Sequence, residues 1–150
     1  MPSIYVFDEQ VNFREGIKNL LEIKIHKCNV STFNNGIEKR IIENNEIPDL
    51  VLIDPTSLYE ESLELIDYFI SKRVKVVLLS SLDTNTDRIL LLLKKKLSGY
   101  LLKSMKTSDL LGYIGEILLD KRYIAPSIAI VLLDNYLEYE NHKNRSLTSV

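Results

Sequence analysis

The sequence predicts an α/β fold: a doubly wound, five-stranded parallel sheet of order 2-1-3-4-5 with an extra helix at its C-terminal end. Three observations predict it. Short Val/Ile/Leu runs recur along the first 125 residues, as strands buried on both faces require. Each run is followed by apolar residues at helical spacing, so β and α alternate five times. Right-handed crossovers then favour the open, flavodoxin-like strand order.

The elements follow in chain order. Ile4 to Phe7 is an unbroken apolar run, and Phe13, Ile17, Leu20 and Leu21 behind it share one helical face. His26 to Phe33 is a weaker strand signal, followed by the turn-forming Asn34-Asn35-Gly36 and a helical Phe33, Ile37, Ile41 spacing. Leu50 to Ile53 is a clear buried strand, with Leu63, Ile66 and Ile70 marking its helix. Val74 to Leu79, interrupted by Lys75, precedes a helix from about Thr84 to Leu97. Gly99 to Leu102 is the last short run, and Leu110, Ile114, Ile117 and Leu118 form the stripe behind it. In this architecture ligands sit outside the carboxyl ends of the strands, where strands 1 and 3 part.

Composition narrows the class. The chain has 150 residues, 45% apolar and 27% charged, with 19 Lys+Arg against 21 Asp+Glu. A chain of this size buries roughly 70% of its unfolded surface and needs no disulfide or structural metal to fold, and its lone Cys28 has no partner in the chain. The formal charge of −2 excludes a free-standing nucleic-acid binder of the usual basic kind. No apolar run approaches a membrane span, so a soluble, cytoplasmic protein is expected. The near-zero charge is a sum of unlike halves: residues 1 to 70 carry 13 acidic and 6 basic side chains, residues 71 to 150 carry 8 and 13.

The residues that end the strands form a short list. Asp8 and Glu9 close the first, Asp54 the third, Ser80 and Ser81 the fourth and Lys103 the fifth, all on one rim. Three crowded carboxylates offer hard oxygens of the kind that suit Mg²⁺, which is held by one or two carboxylates together with waters and phosphate oxygens. A lysine and a hydroxyl beside them match the charge that develops on a transferred phosphoryl group. The pattern points to phosphoryl transfer onto an Asp carboxylate. Blander readings stand beside it: Asp54-Pro55 also reads as the start of an Asx turn, Tyr100 as core packing and Lys94-Lys95-Lys96 as a solvated helix face.

The strings VFDEQVNFREGIKNLLE, PDLVLID, KVVLLSS and SGYLLKS occur in that order between residues 6 and 104, and the resemblance they carry spans at least residues 3 to 125. Together they resemble the receiver domain of two-component response regulators, a CheY-like fold. Arg14-Glu15-Gly16 and Tyr100 to Ser104 look most like the NarL/FixJ subfamily, whose members carry a LuxR-type DNA-binding output domain. The resemblance implies that Asp54 is the phosphoacceptor, fed by a sensor histidine kinase. It implies that Asp8, Glu9, Asp54 and the backbone carbonyl of Thr56 hold Mg²⁺, and that Lys103 binds the phosphoryl group. The string VVLLS assigns the switch hydroxyl to Ser80, whereas spacing counted back from Lys103 falls on Ser81. The strand pattern favours Ser80, because the loop from Asp83 to Asp87 absorbs an extra residue more easily than a strand does. Tyr100 is the aromatic that follows that hydroxyl. Such a domain is not an enzyme beyond its own phosphorylation and dephosphorylation.

Some positions depart from the family pattern. Pro55-Thr56 stands where Met-Pro is usual, and Pro55 removes one backbone donor beside the acceptor. Glu60 and Glu61 lie close enough to oppose an incoming anion, and Ser104 replaces the proline usual after the lysine. Those changes keep open a second reading, an atypical pseudo-receiver that works as a phosphorylation-independent interaction module. Residues 1–125 are thus expected to form the receiver and 126–150 a helix, opened by Pro126, plus a polar linker toward a DNA-binding output domain not in this chain. The apolar Ile128-Leu132-Tyr136 stripe is expected to pack on the receiver or on a second copy in a homodimer.

Overall fold

The computed structural model describes residues 2–34, 46–56 and 59–148, with side chains as far as Asn144. Its elements are β1 (Ser3–Phe7), α1 (Val11–Lys24), β2 (Asn29–Phe33), β3 (Leu50–Ile53), α2 (Tyr59–Ser71), β4 (Lys75–Ser80), α3 (Thr86–Leu93), β5 (Gly99–Leu102), α4 (Thr107–Leu118), β6 (Tyr123–Ile124) and α5 (Pro126–Thr148). The strands form one parallel sheet in the order β2-β1-β3-β4-β5-β6. The expected five-strand order is present, extended at one edge by β6. Backbone bonds from Tyr123 to Ser98 and from Ala125 to Tyr100 seat that two-residue strand, and the Tyr123 ring stacks on Tyr113 at 3.7 Å. Of the spacing that predicts a helix over Phe33, Ile37 and Ile41, Phe33 is the last residue of β2, and Ile37 and Ile41 lie outside the described residues.

Each central strand divides its side chains between two cores. Tyr5, Phe7, Val51, Ile53, Val76 and Leu78 face α2, α3 and the start of α5. Ile4, Val6, Leu50, Leu52, Val77 and Leu79 face α1 and α4. Alternate residues on a strand point to opposite faces, so a sheet covered on both sides needs apolar residues at every position. Leu50–Ile53 is wholly buried for that reason. On the β1 side the aromatic packing is dense: Phe33 stacks on Phe7 and meets Tyr5 edge-on, both at 5.1 Å. At the head of β5, Gly99 is required by space. A Cβ there would lie 2.8 Å from Ile117 Cδ1 and 3.2 Å from the Tyr123 carbonyl oxygen.

Two helices differ from expectation. α3 begins later and ends sooner, opened by Asn85, whose side chain accepts from the Arg88 amide at 3.3 Å. Lys94, Lys95 and Lys96 therefore lie in the turn after it rather than on a helix face, and Lys95 pairs with Asp67 at 2.6 Å. α5, in contrast, continues through the polar residues Asn141 to Ser146 that read as a linker. A run of Asn, His, Lys and Arg lacks apolar periodicity but contains no Gly or Pro to stop a helix already under way.

Candidate functional site

β1 and β3 end side by side, with β5 on the far side of β4, and the chain leaving each carries a charged residue: Asp8, Asp54 and Lys103. The Lys103 ammonium lies 2.7 Å from Asp8 Oδ2 and 2.8 Å from Asp54 Oδ2. Its third bond goes to Gln10 Oε1 at 3.0 Å, so all three donors of the ammonium are used. The Phe13 ring closes one side, with its centroid 4.3 Å from the nitrogen. The three charged side chains are nearly excluded from solvent, at 11% exposure for Lys103, 3% for Asp8 and 9% for Asp54. Burial alone would lower the lysine, but hydrogen bonds to Asp54 and Asp8, together with their charges, outweigh it and hold the ammonium above its ordinary value.

The carboxylates are also fixed through their second oxygens. Asp8 Oδ1 accepts from the Gln10 amide at 2.8 Å, and the Asp8 carbonyl accepts from Arg14 at 2.9 Å. Asp54 Oδ1 accepts from the Thr56 amide at 3.0 Å and from the Thr56 hydroxyl at 2.5 Å. Asp54 thus starts the Asx turn that Asp-Pro suggests and still presents its other oxygen to Lys103. Turn and site are one arrangement, and the Thr56 amide supplies a backbone donor one residue beyond Pro55.

The switch candidates divide clearly. Ser80 is the last residue of β4 and fully buried, and its Oγ has no hydrogen-bond partner; Ser81 is exposed. Lys103 donates its amide to the Ser80 carbonyl at 2.8 Å, which joins this serine to the charged cluster. Burial pushes the phenol of Tyr100 up to about 12. The Ser80 hydroxyl beside it pulls the other way without forming a bond of ordinary geometry.

Glu9 corrects the expectation of three crowded carboxylates. Among the described residues no group of three or more His, Cys, Asp or Glu side chains could hold a metal. Asp8 and Asp54 converge, while Glu9 is exposed on the rim. Consecutive residues leaving a strand point to opposite sides, so burying Asp8 turns Glu9 outward. Glu60 and Glu61 occupy the first turn of α2, where the helix dipole favours negative charge. None of the described peptide bonds is cis.

Gln10, Phe13, Arg14 and the Thr56 side chain complete the site without having been singled out for it. The available signal was position alone: the first three follow Asp8 by two, five and six residues.

No family model matches the chain. It is 26% identical over 149 residues to the nitrate/nitrite response regulator protein NarL of Escherichia coli, covering 95% of this chain and 68% of NarL. It is 24% identical over 149 residues to the transcriptional regulatory protein DegU of Brevibacillus brevis, covering 99% of this chain and 63% of DegU. Its homologues are response regulators. Among solved structures, a LuxR-family two-component response regulator from Aurantimonas superposes with a TM-score of 0.73 at 22% identity, covering 90% of this chain and 97% of that one. A response regulator receiver domain from Clostridium thermocellum gives 0.66 at 23% identity, covering 80% and 96%. This is the receiver fold. In it the Asp8–Lys103–Asp54 cluster lies at the strand switch point, and no helix among the described residues is long and apolar enough to cross a membrane.

Proposed function

We propose that this chain is the phosphorylation-controlled receiver of a two-component transcription regulator, with Asp54 as the acceptor. The observation that carries the proposal is the nearly solvent-free lysine held between Asp8 and Asp54 beside a buried, unpartnered serine hydroxyl. A carboxylate oxygen of Asp54 attacks the phosphorus of a kinase phosphohistidine. The new O–P bond forms as the P–N bond breaks, and the imidazole nitrogen leaves with the electron pair. Lys103 neutralises the charge gathering on the phosphoryl oxygens. Ser80 Oγ, which has no other partner, donates to one of them, and Tyr100 repacks with it. The fold thereby converts a local charge into a changed surface.

Asp8, Asp54 and the Thr56 carbonyl, with Glu9 at the rim, fit Mg²⁺ by the chemistry of their donors: two hard carboxylates and a carbonyl, the small protein share that a well-hydrated ion takes. Bound there, the ion would offset the charge that two carboxylates and a phosphoryl group bring together. The likeness to the response regulator NarL and the transcriptional regulator DegU supports kinase recognition, a cytoplasmic location and DNA binding through an output domain outside residues 1–150. Beyond its own phosphorylation and dephosphorylation the domain catalyses nothing.

Incubation with Mg²⁺ and a small phosphodonor, followed by intact-mass measurement, is expected to add one phosphoryl group to the wild type and none to Asp54→Asn. A wild type left unmodified by both the donor and its kinase would overturn the proposal.

A further inference from the structure

The rim opposite Asp54 carries a charged hollow that the phosphoacceptor cluster does not use. The segments leading into β4, β5 and β6, three neighbours in the sheet, surround a cavity of about 560 Å³. Five of the 13 cations in residues 71 to 150 line it: Arg73, Lys75, Lys96, Lys121 and Arg122. Asp120 is the one acid among the lining residues, and it is spent on Lys75 at 2.9 Å. That pair is part of the wall. The side chains of Arg73, Lys96 and Lys121 have no partner among the described residues. Arg122 donates Nε and Nη2 to the Leu97 carbonyl at 3.2 and 2.8 Å. Those bonds fix its guanidinium and leave the remaining N–H donors of the fork unused by the protein.

Lysine and arginine at the C-terminal ends of helices are ordinarily accounted for by the helix dipole. α2, α3 and α4 all end at this rim, and together they present about one and a half negative charges. Four cations without a carboxylate exceed that and leave a surplus of roughly two positive charges. The backbone points the same way. α2 ends with Arg73 in the left-handed region at φ 62°, where the Val74 amide reaches the Phe69 carbonyl at 3.0 Å. Glycine is the usual residue at such a position. An arginine there strains the backbone while its side chain pairs with nothing in the described protein, and departures of that kind gather at functional sites.

The lining defines the chemistry of the ligand. A phosphoryl group offers three acceptor oxygens and more than one negative charge, so two linked phosphates can meet four cations at once; a carboxylate, with two oxygens and one charge, cannot. Val74 and Leu97, both buried, give the hollow an apolar floor. Its volume is that of a small-molecule site, whereas a nucleic acid or an acidic protein needs an extended charged track. We propose that this hollow binds a small molecule carrying a pyrophosphate group, either free pyrophosphate or a nucleoside diphosphate, with Arg73, Lys96, Lys121 and Arg122 holding the phosphates. The inference does not depend on phosphoryl acceptance by Asp54.

Calorimetric titration of the full 150-residue chain, at low salt and without Mg²⁺, tests it with inorganic pyrophosphate, ADP and adenosine as probes. One equivalent of pyrophosphate is expected to bind with a Kd of about 0.1–1 mM. Arg73→Gln/Lys121→Gln is expected to raise that Kd on the order of tenfold or more, as the loss of two charge-assisted contacts implies. Lys24→Gln/Lys27→Gln makes the same change of charge on exposed residues at and just after the end of α1 and is expected to leave the Kd unchanged. ADP bound more tightly than pyrophosphate identifies a nucleotide as the occupant, and ADP bound no more tightly identifies free pyrophosphate. Adenosine bound as tightly as ADP overturns the proposal. A second measurement covers the case in which the Arg73/Lys121 variant loses its fold by circular dichroism. In the wild type, pyrophosphate is expected to shift the backbone amide resonances of residues 73–75, 96–98 and 120–122 most. Absence of binding, equal weakening by the two double variants, or shifts centred on residues 8, 54 and 103 overturns the proposal.

Discussion

Two lysines stand at opposite ends of the same sheet, and their contacts have nearly the same lengths. Lys103, after β5, bonds Asp8 and Asp54 at 2.7 and 2.8 Å; Lys75, at the start of β4, bonds Asp120 at 2.9 Å and the Leu118 carbonyl at 3.1 Å. Their surroundings differ. Asp120 is 89% exposed, whereas both partners of Lys103 are below 10%. In water an ion pair gains little, because solvent screens it and would solvate either charge alone; where solvent is excluded, neither charge can be left without the other. The bond lengths do not distinguish a functional cluster from a surface contact. Burial does.

The largest effect that would test this contrast is on phosphoryl uptake. Lys103→Met is expected to slow modification of Asp54 by a small phosphodonor on the order of 100-fold, the scale of losing one preorganised charge at a reacting centre. The same substitution leaves two buried carboxylates with no cation between them. It is expected to cost about 2–3 kcal/mol in urea unfolding at pH 7, below the full value for a buried pair because Lys103 is not wholly enclosed. A loss under 0.5 kcal/mol at pH 7 would place Lys103 in the same class as Lys75.

Next comes an alkaline effect. The folded state holds the Tyr100 proton up to about 12, while the unfolded phenol releases it near its ordinary value. The unfolded state therefore binds fewer protons between these limits, and stability falls as pH rises through them. Lys103, also raised, changes stability in the same direction. Wild type is expected to lose about 2 kcal/mol more than Tyr100→Phe between pH 10 and 12, measured by denaturant unfolding at each pH. Equal losses in the two proteins would contradict the buried, proton-retaining phenol.

Smaller effects belong to the opposite rim. Gly99→Ala places a Cβ against Ile117 and the Tyr123 carbonyl and is expected to cost about 1–3 kcal/mol, read as a lowered unfolding midpoint. Asp120→Asn removes the exposed partner of Lys75 and is expected to change stability by less than 0.5 kcal/mol, with Asn tolerating the backbone φ of 69° found there. A larger loss at Asp120 would erase the contrast between the two lysines.

How much could be read from the sequence follows from the same physics. Strands buried on both faces announce themselves as unbroken apolar runs, so Leu50–Ile53 and Gly99–Leu102 appear in the structure with the bounds expected. β6 has two half-buried residues and pairs along one edge only, too short for any periodicity. The continuation of α5 past Asn141 had no burial pattern to report it. Within the site, charged residues ending strands could be picked out because charge at a buried strand end is unusual. Gln10 and Phe13 could not, being neutral residues whose value comes from where a lysine 93 and 90 positions later is folded to meet them. The choice between Ser80 and Ser81 rests on whether the strand or the loop behind it takes up an extra residue; the structure buries Ser80 and exposes Ser81.

The central claim is that Asp54, and not a neighbouring carboxylate, accepts the phosphoryl group. Borohydride reduces an acyl phosphate to an alcohol, so treatment of the phosphorylated chain followed by peptide mass spectrometry marks the acceptor as homoserine. Homoserine is expected at position 54 alone. Homoserine at position 8, or a reduced Glu9, with position 54 unchanged would contradict the claim.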